Sequence, residues 1–482
     1  MTEDQAIQSV RTGLFIGGKW RDTAQTMPVH DPSTGEVLCS VADASPAEAA
    51  EALDAAAAAQ ASWAATTPRE RATVLSNAHR LLLENTERLA LVMTLEMGKP
   101  LKESRGEIAY AAEFFRWFAE EAVRIDGGYT TAPAGGSRFL VTRQPVGPCL
   151  LITPWNFPMA MGTRKIGPAI AAGCTSVIKP ASLTPLSTLA LADILVEAGL
   201  PDGVVNVVTT SHSDEVMAPL IRDPRSRKLS FTGSTGVGKH LLSLCSETVM
   251  RTSMELGGNA PFVVFDDANI DDAVDGAMLA KMRNIGQACT AANRILVHSA
   301  VAQEFTRKLT DRMKALPLGR GTEDGVVVGP LVNESAVRKV EELVTDAVNR
   351  GAVVVTGGTA LDRPGNYYPA TVLTGVPDDA DMRDTEIFGP VAAISTFETE
   401  AEAVERANDT QFGLVAYVYT ENLRRGLRVC EALESGMVGL NQGVVSNPAA
   451  PFGGVKESGL GREGGTTGID EFLDIKYIGV AL

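Results

Sequence analysis

The sequence predicts an α/β fold: two doubly wound domains with a small β arm. Three observations carry this. From Val146 onward, short wholly apolar runs alternate with helix-length segments. The same alternation starts again after about Glu255. Between the N-terminal helices and the first block lies a glycine-broken hairpin pattern. Strands apolar on both faces belong to parallel sheets covered by helices on either side. Such sheets take ligands at the carboxyl ends of their strands.

Size and composition fit this class. At 482 residues the chain exceeds one ordinary core, so two or three domains are expected. Apolar residues form 45% and charged residues 21%, a globular rather than a disordered balance. A formal charge of -16 argues against nucleic acid or an acidic membrane as partner, since both need a basic surface. An anionic substrate would therefore need local arginines to hold it. No apolar run reaches the roughly 18 residues of a membrane span. The acidic opening Met1-Thr2-Glu3-Asp4-Gln5 lacks a secretory h-region. The six cysteines (Cys39, Cys149, Cys174, Cys245, Cys289, Cys430) show no paired or metal-ligand spacing. Free thiols, a cytoplasmic location and no metal site are the expectation.

Taken in order, Leu14-Phe15-Ile16, Gly17-Gly18 and Lys19-Trp20 read as short strands around a turn. Ser45-Pro46-Ala47-Glu48 and Thr67-Pro68-Arg69-Glu70 are capping boxes with proline at the first helical position. The helix after Thr67 is expected to carry Leu75, Leu81, Leu82 and Leu89 on one face, and another runs from Leu101 to Val123. Tyr129–Thr131 and Arg138–Thr142 read as a hairpin tipped by Pro133-Ala134-Gly135-Gly136. The first block then has strands at Cys149–Ile152, Ser176–Ile178, Val204–Val208, Leu229–Phe231 and Pro261–Phe265, with helices between them. The second block alternates Ile295–Val297, Val301–Met313, Val337–Arg350, Val353–Thr356, Val391–Phe397, Ala401–Asn408 and Ala416–Tyr419. The tail Asp470–Val480 alternates like an edge strand. It can pair with the hairpin arm, of its own or another subunit.

Four segments could carry chemistry. Gly286-Gln287-Ala288-Cys289-Thr290 places a thiol among small residues, with room for something to approach the sulfur. Met254-Glu255-Leu256-Gly257-Gly258 offers a carboxylate, so a nucleophile and a base are both available. Thr232-Gly233-Ser234-Thr235-Gly236-Val237-Gly238 follows a strand and opens a helix, where backbone N–H groups can meet a phosphate. Its spacing is not the dinucleotide fingerprint, and a structural turn explains it as well. Thr153-Pro154-Trp155-Asn156-Phe157-Pro158 ends another strand. Asn156 there is either a turn residue or an amide aimed at a developing oxyanion. A buried inert thiol remains the alternative for Cys289 alone.

Jointly, Thr153–Phe157, Phe231–Gly236, Glu255–Gly258, Gly286–Cys289 and Glu386-Ile387-Phe388-Gly389-Pro390 resemble the NAD(P)-dependent aldehyde dehydrogenase superfamily, in order and spacing, over essentially the whole chain. The resemblance implies an aldehyde dehydrogenase-like fold. Residues 1–123 and 144–254 would form the cofactor domain, 255–454 the catalytic domain, and 124–143 with 468–482 an oligomerisation arm. It implies Cys289 as nucleophile, Glu255 as general base and Asn156 as oxyanion donor. It places Trp155, Asn156, Lys179, Pro180, Ala181, Ser182, Gly233, Ser234, Leu256, Glu386 and Phe388 around the dinucleotide. Serine at 182, where many NAD-preferring members carry glutamate, removes a charge that would repel a 2′-phosphate. NADP is therefore the expected cofactor, with NAD as the alternative. Homodimers or homotetramers are the expected assembly.

Within the family the sequence is most similar to the succinate-semialdehyde dehydrogenase branch. Arg164, Arg283 and Ser446 match that branch's carboxylate-binding residues, and two guanidiniums with a hydroxyl make a carboxylate clamp. The opposing reading is two ordinary salt-bridged arginines. Glutarate semialdehyde or a broad aldehyde range is the alternative substrate, and a catalytically silent relative the non-enzyme alternative. Some members of the branch carry a second cysteine two residues after the nucleophile. Ala291 stands there, so no local disulfide switch is expected.

Overall fold

The computed structural model describes residues 1–481. Its first sheet runs, in spatial order, Lys19–Arg21, Leu14–Ile16, Val205–Val207, Ser176–Lys179, Cys149–Ile152, Lys228–Thr232, Arg251–Glu255 and Gly459–Leu460. The five strands from Val205–Val207 to Arg251–Glu255 are parallel. The first two and the last are antiparallel additions at the edges. From Cys149–Ile152 the chain winds outward one way, then returns and winds the other way from Lys228–Thr232. The gap between these two strands is thus the topological switch point, where such sheets bind ligands.

Cys149–Ile152 shows why the sheet is covered on both faces. Cys149 and Leu151 pack into one apolar cluster, Leu150 and Ile152 into another. Strand side chains alternate, so an all-apolar strand requires two cores. The second sheet runs Val353–Thr356, Thr371–Thr374, Val391–Phe397, Ala292–His298, Ala260–Val264, Val415–Tyr419 and Met437–Leu440. It repeats the device: Phe262 and Val264 enter one cluster, Val263 and Phe265 the other. The α/β fold expected from the alternation is the fold observed, with one correction: Pro261–Phe265, expected to end the first block, lies in the second sheet as Ala260–Val264, and Arg251–Glu255 takes its place beside Lys228–Thr232.

Ser45 and Thr67 cap the helices Pro46–Ala64 and Pro68–Glu84, each accepting from the glutamate N–H three residues on. One expectation on this stretch is corrected. Leu89 does not extend the helix after Thr67. The chain leaves the helix at Asn85, where Asn85 Nδ2 donates to the Leu81 carbonyl at 2.9 Å. Leu89 belongs to the next helix, Thr86–Met97.

The hairpin Gly128–Thr131 and Ser137–Pro145 forms as expected. The tail strand Leu473–Ala481 pairs antiparallel along the whole of Ser137–Pro145 of its own chain, so the three strands make one small sheet. Leu482, the last residue of the expected arm, lies outside the described residues. Gly459–Leu460 returns to the first sheet beside Met254 and Glu255, a crossing the sequence reading did not assign.

Candidate active site

The carboxyl ends of the first sheet and the amino ends of the second face one another. Glu255 closes the strand Arg251–Glu255, and Thr232-Gly233-Ser234 follows its parallel neighbour. Cys289 precedes Ala292–His298, so it sits at the amino end of a strand. Gly258 joins the two: a Cβ there would meet the Cys289 carbonyl oxygen. Between the sheets lies a cavity of about 310 Å³ whose wall includes Asn156, Glu255, Cys289 and Glu386.

The segment before Cys289 is strained. Asn284, Ile285 and Gly286 have φ of 52°, 60° and 74°, three successive left-handed residues. For a β-branched residue such as Ile285 this costs roughly 1–2 kcal/mol. Gly286 admits no side chain, since a Cβ would strike the Gly389 carbonyl. Hydrogen bonds hold the turn. Asn284 Nδ2 donates to the carbonyls of Asn156 (2.9 Å) and Gln287 (3.0 Å). Gln287 Oε1 accepts from Val332 N–H at 3.0 Å. Asn156 Nδ2 also donates to the Gln287 carbonyl at 3.0 Å, which leaves its second proton for another acceptor.

Burial, then the Glu386 carboxylate, pushes the Cys289 thiol up to about 12, while Arg164 and Arg283 pull the other way. The free thiol therefore needs a base to become a nucleophile. Glu255 is 2% exposed, and among the described residues neither carboxyl oxygen has a hydrogen-bond partner. Burial and then Glu463 raise its pKa well above the usual carboxylate range, against Arg164 and Lys165. A carboxyl so placed holds a proton longer and takes one more readily.

The two expected clamp arginines have different surroundings. Arg164 is buried: Nη2 donates to Tyr110 Oη at 2.8 Å, Nη1 lies 3.5 Å from Glu463, and the guanidinium covers the Phe452 ring at 4.0 Å. Arg283 is half-buried. Its Nη1 donates to Ser446 Oγ at 3.3 Å, and it lies over the Phe157 ring at 4.9 Å. Among the described residues no carboxylate comes within ion-pair reach of Arg283. The structure thus brings Arg164, Arg283 and Ser446 to one cavity with Cys289.

Of the expected cofactor residues, Trp155, Gly233, Ser234, Leu256, Glu386 and Phe388 line that same cavity. The Trp155 and Phe388 rings meet edge to face at 5.3 Å. Lys179, Pro180, Ala181 and Ser182 lie outside it, at the carboxyl end of Ser176–Lys179 beside Cys149–Ile152. Lys179 donates to Ser213 Oγ at 3.0 Å, and burial lowers its amine to about 8. Among the described residues it has no carboxylate partner. Thr153 Oγ1 and Thr232 Oγ1, at the ends of two adjacent strands, are buried without a partner among the described residues. Ser234 caps the helix Thr235–Ser246, whose N-terminus points at this edge. Unpaired hydroxyls, a helix N-terminus and a lone cation fit a phosphate-bearing dinucleotide.

Sequence reasoning missed a supporting layer. Lys99, fully buried, donates to the Asn156 carbonyl at 2.7 Å and pairs with Glu107. Glu107 Oε1 accepts from the N–H groups of Met159 (3.0 Å) and Ala160 (3.1 Å), capping the helix after Asn156. Lys165, also fully buried, donates to Glu463 at 2.6 Å and to Ser230 Oγ at 2.9 Å. Tyr110 was also missed. The available signal was charge within an apolar helix face: Glu103, Glu107 and Tyr110 share one face of Leu101–Ala122 at spacings of four and three.

This geometry is that of a family. The chain belongs to the aldehyde dehydrogenase family, whose model matches residues 20–478. It is 58% identical over 445 residues to the succinate-semialdehyde dehydrogenase of Paenarthrobacter nicotinovorans, covering 92% of this chain and 99% of that protein. It is 49% identical to the NADP(+) succinate-semialdehyde dehydrogenase GabD of Escherichia coli, covering 98% of each. It is equally 49% identical to the glutarate-semialdehyde dehydrogenase of Pseudomonas aeruginosa, covering 97% of each. The crystal structure of succinate-semialdehyde dehydrogenase from Burkholderia pseudomallei superposes with a TM-score of 0.97 at 49% identity, covering 98% of both chains.

Proposed function

We propose that this protein oxidises succinate semialdehyde to succinate, with NADP preferred and NAD as the alternative. One observation carries the reading. Cys289, Glu255 and Asn156 line a single cavity that also holds an arginine bonded to a serine hydroxyl, with no carboxylate at ion-pair distance among the described residues. A thiol that attacks aldehydes and a cation without a partner together select an aldehyde with a carboxylate at its far end. The relatives named as succinate-semialdehyde dehydrogenases support the same choice.

In this reading Cys289 passes its proton to Glu255, which releases it to solvent, and the thiolate adds to the aldehyde carbon. Asn156 Nδ2 and the Cys289 backbone N–H take the resulting oxyanion. A bound nicotinamide supplies hydride acceptance. The acyl group stays on Cys289 as a thioester, and Glu255 takes a proton from the water that releases the acid. Glu255 also argues against transfer of the acyl group to a thiol such as CoA. Lys179 and Ser182 would hold the adenosine ribose and its phosphate. Gly233 and Ser234 would hold the pyrophosphate, and Trp155, Leu256, Glu386 and Phe388 the nicotinamide half.

Residues 1–123 and 144–254 are read as the cofactor domain, 255–454 as the catalytic domain and the small three-stranded sheet as the oligomerisation arm. The arm would build a homodimer or homotetramer in the cytoplasm. A second substrate has a specific basis, because a clamp fixes charge rather than chain length and a glutarate-semialdehyde dehydrogenase is among the relatives.

The test is a panel of succinate semialdehyde, glutarate semialdehyde and uncharged aldehydes with each dinucleotide. The highest kcat/KM is expected for succinate semialdehyde with NADP. A higher value for an uncharged aldehyde would overturn the clamp, and a large NAD preference would overturn the cofactor choice.

A further inference from the structure

We infer that Glu103 is a positioning residue for this reaction: its carboxylate grips the backbone that carries Arg283 and leads into Cys289. The roles of Arg283 and Cys289 are those of the proposed function.

Glu103 lies in the first turn of the helix Leu101–Ala122. Its Oε2 accepts the backbone N–H of Asn284 at 2.6 Å, a charge-assisted bond between segments distant in sequence. Asn284 is where the left-handed run begins, and Ile285, next along, is fully buried in a conformation few β-branched residues adopt. Such a turn persists only when its surroundings over-determine it. The Asn284 side chain and Gln287 fix the later part of the turn. At its entry the constraint is the Glu103 carboxylate. Without it the Asn284 N–H loses its acceptor, and the turn can relax toward ordinary φ values.

Relaxation would move two functional groups at once. Arg283 precedes Asn284 directly, and its Nη1 reaches Ser446 at 3.3 Å, near the limit of a hydrogen bond. Cys289 follows five residues on, and Asn156 is tied to the same turn through its carbonyl and through Gln287. Burial raises the Glu103 pKa above the usual carboxylate value, while the charge of Lys99, the bond from the Asn284 N–H and the charge of Arg283 pull toward the ionised form. The carboxylate thus lies near Lys99 and Arg283, and among the described residues it forms an ion pair with neither. Its contact is with the backbone.

The test compares E103A with E103Q in the full-length enzyme. Glutamine keeps an oxygen for the Asn284 N–H and loses only the charge. Three quantities are measured: kcat, KM for succinate semialdehyde against butanal, and the rate at which iodoacetamide alkylates Cys289. In E103A, kcat is expected to fall about tenfold or more on both aldehydes, as for a nucleophile displaced by a fraction of an ångström. KM is expected to rise about fivefold for the semialdehyde alone, and the alkylation rate to change about fivefold. E103Q should stay within about threefold of the parent in all three. If E103A fails to fold, E103D replaces it, since its retracted oxygen misses Asn284 and should behave as E103A.

Two results would overturn the inference. One is E103A (or E103D) matching the parent in alkylation, kcat and the KM ratio. The other is E103Q and E103A being equally impaired. Alkylation needs no substrate, so it still reports on Glu103 if the parent enzyme proves inactive on semialdehydes, a result that would sink the proposed function instead.

Discussion

Arg164 and Arg283 share a charge and a cavity but not their partners, and this divides their expected effects. Arg283 gives one bond to Ser446 and has charge left for an incoming carboxylate. Truncating it to alanine should forfeit one or two charge-assisted bonds, about 1.5–3 kcal/mol, which is a KM raised roughly ten- to a hundredfold for succinate semialdehyde and little changed for butanal. Arg164 is already committed to Tyr110 and Glu463. Its loss strips a buried carboxylate of a partner, so R164A should lower kcat and Tm in addition to raising that KM. Steady-state kinetics on both aldehydes with a melting curve for each variant decides this. Lys179 supports a pH prediction. Its amine, held down to about 8 by burial, is charged at neutral pH and loses that charge as pH rises through about 8. KM for NADP should therefore climb between about pH 7 and pH 9 while KM for NAD does not, because only NADP brings a 2′-phosphate to that cation. Parallel profiles for the two dinucleotides would remove Lys179 from the site.

At the scale of elements, what depends on neighbours in sequence was legible. Ser45 and Thr67 cap helices because side chain and N–H lie three residues apart on one chain. The end of the second of these helices at Asn85 was not legible, since an asparagine at a helix end and one inside a helix look alike before packing chooses. The turn before Cys289 was less legible still. No propensity places Ile285 in the left-handed region, and the bonds that compel its neighbours come from Glu103, Asn156 and Val332, far away in sequence. The arm was legible as a hairpin. Its third strand came from alternation in the tail, and only the pairing of Leu473 with Pro145 through Ala481 with Ser137 fixed the register. Ending the chain after Leu473 would strip one edge of Ser137–Pro145 and leave its backbone groups unpaired. The shortened protein is expected to sediment as a smaller species than the parent. An unchanged mass in analytical ultracentrifugation would remove the arm from assembly.

At the scale of the whole molecule, the site exists because two sheets meet end to end. The carboxyl ends of one supply Glu255 and the Thr232–Ser234 turn, and the amino end of a strand in the other supplies Cys289. The general expectation for doubly wound sheets places ligands at carboxyl ends, and here it describes only half of the cavity. The sequence by itself determined the alternation that demands covered parallel sheets, the capped helices, and the thiol, carboxylate and amide that line the cavity. The first two follow from local pattern, and the last from five segments that jointly resemble one family. The tertiary structure decided which arginine is spent on Glu463 and which stays free. It also decided that Lys99 and Glu107 brace Asn156 and the helix after it, that Glu103 holds the turn before Cys289, and that a half-buried thiol and a buried carboxyl share one cavity. Partner choice, desolvation and backbone strain depend on groups brought together from opposite ends of the chain, and no spacing in the sequence records them.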